Sequence, residues 1–134
     1  MRVDGQPLTS DGMQASLLLL MGRNGPAFLA YPNFRTFLTW NNSLTYSTTA
    51  AYLATRYAGA RPMLRGNGHA VPLSGEQVRE LQILLQRAGY AIGEIDGKLG
   101  AATRARVKAA QMKLGLPADS YPTAELIDRL RRTR

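Results

Sequence analysis

The chain has no cysteine, which removes disulfides, thiolate nucleophiles and cysteine-containing zinc sites and leaves the redox compartment open. Its single histidine, His69, would have to carry any Ser-His-Asp triad or multi-histidine metal site alone. Set in Gly66-Asn67-Gly68-His69, it reads as a solvated linker residue, and neither a metal nor a cofactor is expected. Long apolar runs are missing too. The longest, residues 17–21, falls far short of the roughly 20 residues that cross a bilayer. The polar start, residues 1–5, lacks the pattern of a secretory signal, so the sequence shows no transmembrane segment and no export signal. Residues 1–71 also contain no glutamate; their only carboxylates are Asp4 and Asp11.

What is present describes a globular chain. Of 134 residues, 45% are hydrophobic and 19% charged, close to the average for folded domains and enough to build a core. The net charge is +8, with a pI near 10.4, which calls for an anionic partner without choosing one. Residues 1–71 hold six basic and two acidic side chains and residues 72–134 hold eleven and seven, so each part carries +4. The division falls in residues 59–71, rich in glycine and proline, which read as a linker. The chain therefore divides into residues 1–58, the linker and residues 72–134.

In the first part, apolar residues 17–21 and 27–31 flank Gly22-Arg23-Asn24-Gly25-Pro26, and the Asn-Gly step predicts a β-hairpin. Asn33 is placed to cap a helix carrying Phe34, Phe37 and Leu38. A second helix is expected after Ser43, with Tyr46, Ala50, Leu53, Ala54 and Tyr57 at core spacing and Gly59 as its end. In the second part, Ser74 and Gln77 form a capping box ahead of an apolar stripe of Val78, Leu81, Leu84, Leu85 and Ala88, closed by Gly89. A helix from about Ala101 to Gly115 turns Ala102, Val107, Ala110 and Leu114 inward, and Pro122 suits the first turn of a third helix with Leu126, Ile127 and Leu130. The expected fold is mainly α: a three-helix bundle preceded by a hairpin and two helices.

An internal repeat runs through the bundle. The stretch from Arg87-Ala88-Gly89-Tyr90 to Asp96-Gly97 and Thr103 is echoed by Lys113-Leu114-Gly115-Leu116 leading to Asp119-Ser120 and Thr123. Each copy ends a helix at glycine, turns at aspartate and restarts near threonine, with the aspartates bonding turn backbone and the threonines satisfying amides of the next helix.

The ordered string Leu81-Gln82-x-x-Leu85, Gly89-Tyr90, Gly93-x-x-Asp96-Gly97-x-x-Gly100-x-x-Thr103 and Gln111-x-x-x-Gly115-Leu116-x-x-Asp119 resembles the peptidoglycan-binding domain of bacterial cell-wall enzymes. The resemblance implies a three-helix bundle that binds murein. Ala110 stands where that family usually has an aromatic, and Ser120 where it usually has glycine. Gly25-Pro26-Ala27-Phe28-Leu29, Asn33-Phe34-Arg35, Trp40-Asn41-Asn42-Ser43-x-x-Tyr46 and Ala50-x-x-Leu53-Ala54 are similar to the end of the lysozyme-like catalytic domain of the membrane-bound lytic transglycosylase B family. That resemblance implies sugar contacts at Asn41 and Tyr46, with Trp40 where the family commonly has tyrosine. In the bundle, Tyr90 and Tyr121 are candidate sugar platforms, Arg104 and Gln111 candidate donors, and Asp96, Gly97, Gly100 and Thr103 loop-shaping residues. The Asn41-Asn42-Ser43 sequon has little weight in a chain of bacterial type.

Glycan cleavage by such enzymes needs a carboxyl of raised pKa. The resemblance places the family's catalytic glutamate upstream of this sequence, and the first part offers none. The expectation is a catalytic-domain remnant joined to a peptidoglycan-binding domain, with no catalytic residue and inactive by itself. A borrowed catalytic domain or a self-dimer are the partners considered, because residues 17–20 and Phe28 would otherwise expose an apolar patch beside a loosely ordered N-terminus. The family implies a periplasmic or cell-envelope setting. The rival reading is a basic helical nucleic-acid-binding protein ending in Arg129-Leu130-Arg131-Arg132-Thr133-Arg134. Against it, acidic turns occupy the places where phosphate contacts are needed.

Overall fold

The structure, a computed structural model, describes residues 6–8, 10–41, 43–64, 66, 68 and 71–133. Expectations concerning the extreme N-terminus, the sequon's central Asn42 and His69 lie outside the described residues. Strands β1 (Ser16–Leu18) and β2 (Phe28–Ala30) precede helices α1 (Phe34–Trp40), α2 (Leu44–Tyr57), α3 (Gly75–Arg87), α4 (Ala101–Lys113) and α5 (Ala124–Arg132). The strands pair antiparallel, with Leu17 opposite Leu29. Their connection is a nine-residue loop, residues 19–27, which contains the Asn24-Gly25 step. Two successive turns fold it, Gly22 N donating to Leu19 O and Gly25 N to Gly22 O.

Among the described residues, the buried apolar core lies in the second part. Leu81 and Leu85 of α3, Val107 and Ala110 of α4, and Leu126, Ile127 and Leu130 of α5 form one buried cluster. Removing such side chains from water, at roughly 25 cal/mol per Å² of apolar surface, drives the three amphipathic helices together. The capping box at Ser74 and Gln77 is formed in both directions. Thr123 caps α5 by accepting from Leu126 N, so Pro122 precedes the cap rather than opening the helix, and is itself buried. Ala102 is exposed; the inward residue at the start of α4 is Thr103. Ala110 is 1% exposed, so the side chain that replaces an aromatic fills core space. Across α3 and α5, Arg131 donates to both carboxylate oxygens of Glu80, at 2.8 and 2.9 Å.

The first part is organised by polar contacts. Among its described residues, only Gly22, Ser47 and Thr48 are buried. Ser47 Oγ reaches the carbonyls of Phe37 and Asn41, at 3.1 and 2.8 Å, which pins the end of α1 to α2. Asn33 precedes α1 without a side-chain cap bond, being itself helical in φ and ψ, whereas Ser43 caps α2 through Tyr46 N. The apolar stripe of α2 is turned outward. Tyr46, Leu53 and Tyr57 are 48%, 52% and 85% exposed, and the inward face runs through Leu44, Ser47, Thr48, Ala51 and Tyr52. Tyr52 meets Phe28 edge to face at 6.2 Å, joining α2 to the hairpin. Of the predicted apolar patch, Leu17 is exposed while Leu18, Leu19, Leu20 and Phe28 are half-buried.

Candidate functional site

The repeat seen in the sequence is a repeated hydrogen-bond knot. In the first copy, Gln82 of α3 is 1% exposed. Its amide nitrogen donates to Asp96 Oδ1 at 3.0 Å and Lys98 O at 3.3 Å, and its Oε1 accepts from Gly97 N at 2.9 Å. In the second copy, Gln111 of α4 is 4% exposed. It donates to Asp119 Oδ1 at 3.0 Å and Tyr121 O at 2.9 Å, and accepts from Ser120 N at 3.0 Å. Each aspartate Oδ1 also accepts an amide two residues on, Lys98 N and Tyr121 N. The residue after each aspartate is left-handed, Gly97 at φ +72° and Ser120 at φ +64°. A buried glutamine offering one acceptor and two donors satisfies a whole turn, which is why the pattern serves twice.

This geometry sorts the candidate residues. Gln111 has its hydrogen-bonding groups engaged inside the protein, so it shapes the loop instead of offering a free donor. Thr103 lies within the first turn of α4, whose N-cap is Gly100. Its hydroxyl faces the Gln82 amide at 3.4 Å and satisfies a buried glutamine instead of capping the helix. Tyr90 is half-buried against the core. Tyr121 is 8% exposed, with the Arg104 guanidinium 5.9 Å from its ring centroid; Arg104 Nη2 donates to Leu20 O at 2.9 Å. Gln82 stands in the sequence motif Leu81-Gln82-x-x-Leu85 without a role of its own; its signal is the glutamine that precedes each copy of the repeat, Gln82 before the first and Gln111 before the second.

Trp40, Asn41 and Tyr46 come together at the joint between α1 and α2. The two rings lie 5.5 Å apart at 46°, with Trp40 71% exposed. Asn41 Oδ1 accepts from Ser43 N at 2.8 Å, which fixes its side chain and leaves the amide donors pointing away from that bond. Ser43, Leu44 and Thr45, between Asn41 and Tyr46, form one wall of an open cleft of about 670 Å³. The opposite wall includes Gly93, Asp96, Lys98, Gly100 and Thr103. Trp40, Asn41 and Tyr46 do not themselves line this cleft and adjoin it along the chain, through Ser43, Leu44 and Thr45; exposed aromatic faces together with amide, hydroxyl, carboxylate and ammonium groups can stack on sugar rings and bond their hydroxyls. Among the described residues, no group of three His, Cys, Asp or Glu could hold a metal ion, and no helix is long and apolar enough to cross a membrane.

Both aspartates are held below the ordinary carboxylate range. For Asp96 the main cause is the hydrogen bond from Gln82, helped by Lys98 N. For Asp119 burial pushes upward, but the amides of Arg23 and Tyr121 and the side chain of Gln111 outweigh it. A depressed folded-state pKa adds stability above the unfolded value, about 3.9, that is lost as pH falls through the lower folded value. Urea midpoints should therefore show no contribution from these groups to the slope between pH 7 and 5 and a decline below about pH 4. Asp96→Asn and Asp119→Asn should each flatten that decline. An unchanged acid slope in both variants would contradict the assignment.

Fold and site together define a class: a three-helix bundle braced by two buried glutamine–aspartate turns, preceded by a hairpin and two helices. Residues 74–130 match the family described as "Putative peptidoglycan binding domain", and residues 1–55 match the transglycosylase SLT domain. The crystal structure of SltB3 from Pseudomonas aeruginosa in complex with NAG-anhNAM-pentapeptide is 45% identical, with a TM-score of 0.78, and covers 98% of this chain and 36% of that one. The same protein in complex with NAG-NAM-pentapeptide is 45% identical at a TM-score of 0.77, over 96% of this chain and 35% of that one. Over almost its whole length the chain resembles the C-terminal part of a lytic murein transglycosylase of the membrane-bound lytic transglycosylase B family, with a peptidoglycan-binding domain at its end. It spans about a third of the length of the solved structures it matches. No curated protein matches it. Nothing in these comparisons supports nucleic-acid binding.

Proposed function

We propose that the chain binds peptidoglycan at the bacterial envelope, holding the glycan along the cleft between the start of α2 and the loop before α4. The observation that carries this reading is the wall-binding match over residues 74–130 on the same chain as the transglycosylase match. The exposed Trp40–Tyr46 pair supplies the sugar platform, Asn41 a fixed amide, and Asp96, Gly97, Gly100 and Thr103 the shape of the facing loop. Tyr90, Arg104, Gln111 and Tyr121 hold the module in form. The +8 charge favours an anionic wall.

Cosedimentation with purified murein sacculi tests the proposal. The chain should pellet with sacculi in moderate salt, and Trp40→Ala or Tyr46→Ala should weaken binding about tenfold, the roughly 1.4 kcal/mol scale of an aromatic anchor. Retention of full affinity by both variants would move the site elsewhere, and failure to pellet would reject the function. With no glutamate before residue 76, this chain by itself should release no 1,6-anhydro muropeptides from sacculi. Product above a buffer control would show a carboxyl acting that the first part does not provide as glutamate.

A further inference from the structure

The two knots are built alike, yet among the described residues the second alone hydrogen-bonds across to the first part of the chain. Asp119 spends Oδ1 on its own turn, while Oδ2 accepts the N–H of Arg23 in the hairpin loop at 2.9 Å. Beside it Arg104 extends from α4 past the Tyr121 ring to the carbonyl of Leu20. Gly22, between these two anchor points, is buried and left-handed at φ +71°. A Cβ there would stand 2.8 Å from Asp119 Oδ2 and 2.9 Å from Tyr121 Cβ, so the loop backbone lies directly on the turn. The linker closes on the same loop from its other end, since a Cβ on Gly66 would overlap the carbonyl of Asn24. At the first knot no described residue donates to Asp96 Oδ2, and that turn faces the open cleft.

We propose that the second turn of the repeat is an intramolecular clamp that fixes the wall-binding module against the hairpin loop, with Asp119, Arg104 and Tyr121 as its positioning residues. The repeat thus divides its labour: the Asp119 copy sets the angle between the two parts of the chain, while the Asp96 copy carries no such cross-chain bond among the described residues, although both turns line open clefts. Carboxylate to amide and guanidinium to carbonyl are charge-assisted pairings, stronger than neutral ones, and the glycine contact allows no slack for the turn to slide. A polymer held by the module is then presented to the Trp40–Tyr46 corner at a constant orientation. The clamp stands on contacts within the chain and holds whatever ligand the cleft takes.

Residual dipolar couplings on the isotopically labelled full chain read that orientation directly. Couplings from the hairpin with α2 and from α3–α5 should fit one alignment tensor. The Arg23 amide should also exchange at least about tenfold more slowly than an open loop amide. Arg104→Ala should reduce that protection roughly tenfold, the scale of a hydrogen bond from a charged donor. Gly22→Val should split the couplings into two tensors while α3–α5 shifts stay in place. Arg104→Ala, a change outside the core, carries the test should the valine variant not fold. Separate tensors in the wild type, or an Arg23 amide as labile in wild type as in Arg104→Ala, would overturn the clamp.

Discussion

Gly97→Ala should destabilise the helical module by about 2–4 kcal/mol, combining the cost of a left-handed non-glycine residue with that of an overpacked contact. Gly97 sits at φ +72°, and a Cβ there would lie 2.8 Å from the carbonyl oxygen of Gly75, at the first residue of α3, and 3.8 Å from Arg79 Cβ. The obstacle is helix backbone, which cannot rotate aside as a side chain would. Ser120 occupies the equivalent position of the second knot at φ +64°, so that turn already accepts a Cβ. Ser120→Gly should accordingly stabilise the chain by about 1 kcal/mol, the lower end of the cost of holding an L residue left-handed. Chemical denaturation of the two variants should move midpoints in opposite directions. A Gly97→Ala midpoint within error of wild type would mean that α3 is free to withdraw from the turn.

The contrast shows what could be read from the residues. The second part was legible because its signals are local and agree: a capping box at Ser74 and Gln77, an apolar stripe through Val78, Leu81 and Leu85, and glycines where helices stop. The first part was legible in its elements but not in its faces. The stripe of Tyr46, Leu53 and Tyr57 has helical spacing, and periodicity ordinarily marks the side that is buried. Here the inward face is set by Ser47, whose hydroxyl bonds two carbonyls of the α1 end, and spacing carries no information about such a bond. The hairpin is legible and the shape of its connection is not, because Asn24-Gly25 lies in a loop whose shape follows from contacts with Asp119, Tyr121 and the linker, far along the sequence.

The candidate site divides the same way. Residue types told which side chains matter at the second turn, yet not whether their hydrogen bonds face a ligand or the protein. Gln111 and Arg104 carry donors suited to sugar hydroxyls, and in the fold the Gln111 amide meets Asp119 and Tyr121 while Arg104 Nη2 meets Leu20 O. The Trp40–Asn41–Tyr46 grouping is held by local bonds at a capped helix start: Ser43 bonds Tyr46 N, and Asn41 bonds Ser43 N.

Gln82→Glu provides the sharpest test of the knot, since it keeps the shape and exchanges two donors for a charge. At neutral pH the new carboxylate would stand against Asp96 Oδ1, where the amide nitrogen now sits at 3.0 Å, and would retain only its acceptance of Gly97 N. Loss of the donors, which also serve Lys98 O and Thr103 Oγ1, combined with like-charge repulsion at a buried position, should cost about 3 kcal/mol or more. Repulsion and burial raise the folded-state pKa of the introduced acid above its unfolded value of about 4.3. A raised carboxyl destabilises the fold above its folded pKa and is relieved as pH falls toward the unfolded one. Stability of the variant should therefore rise on acidification from pH 7 to pH 5, where these groups leave the wild type level. Gln82→Leu, which strands the same partners without adding charge, should lose stability with no such recovery, and Gln86→Leu on the exposed face of α3 should change it by less than about 0.5 kcal/mol. Parallel pH profiles for Gln82→Glu and Gln82→Leu would mean that the side chain at position 82 does not meet Asp96, and the repeated knot would lose its first copy.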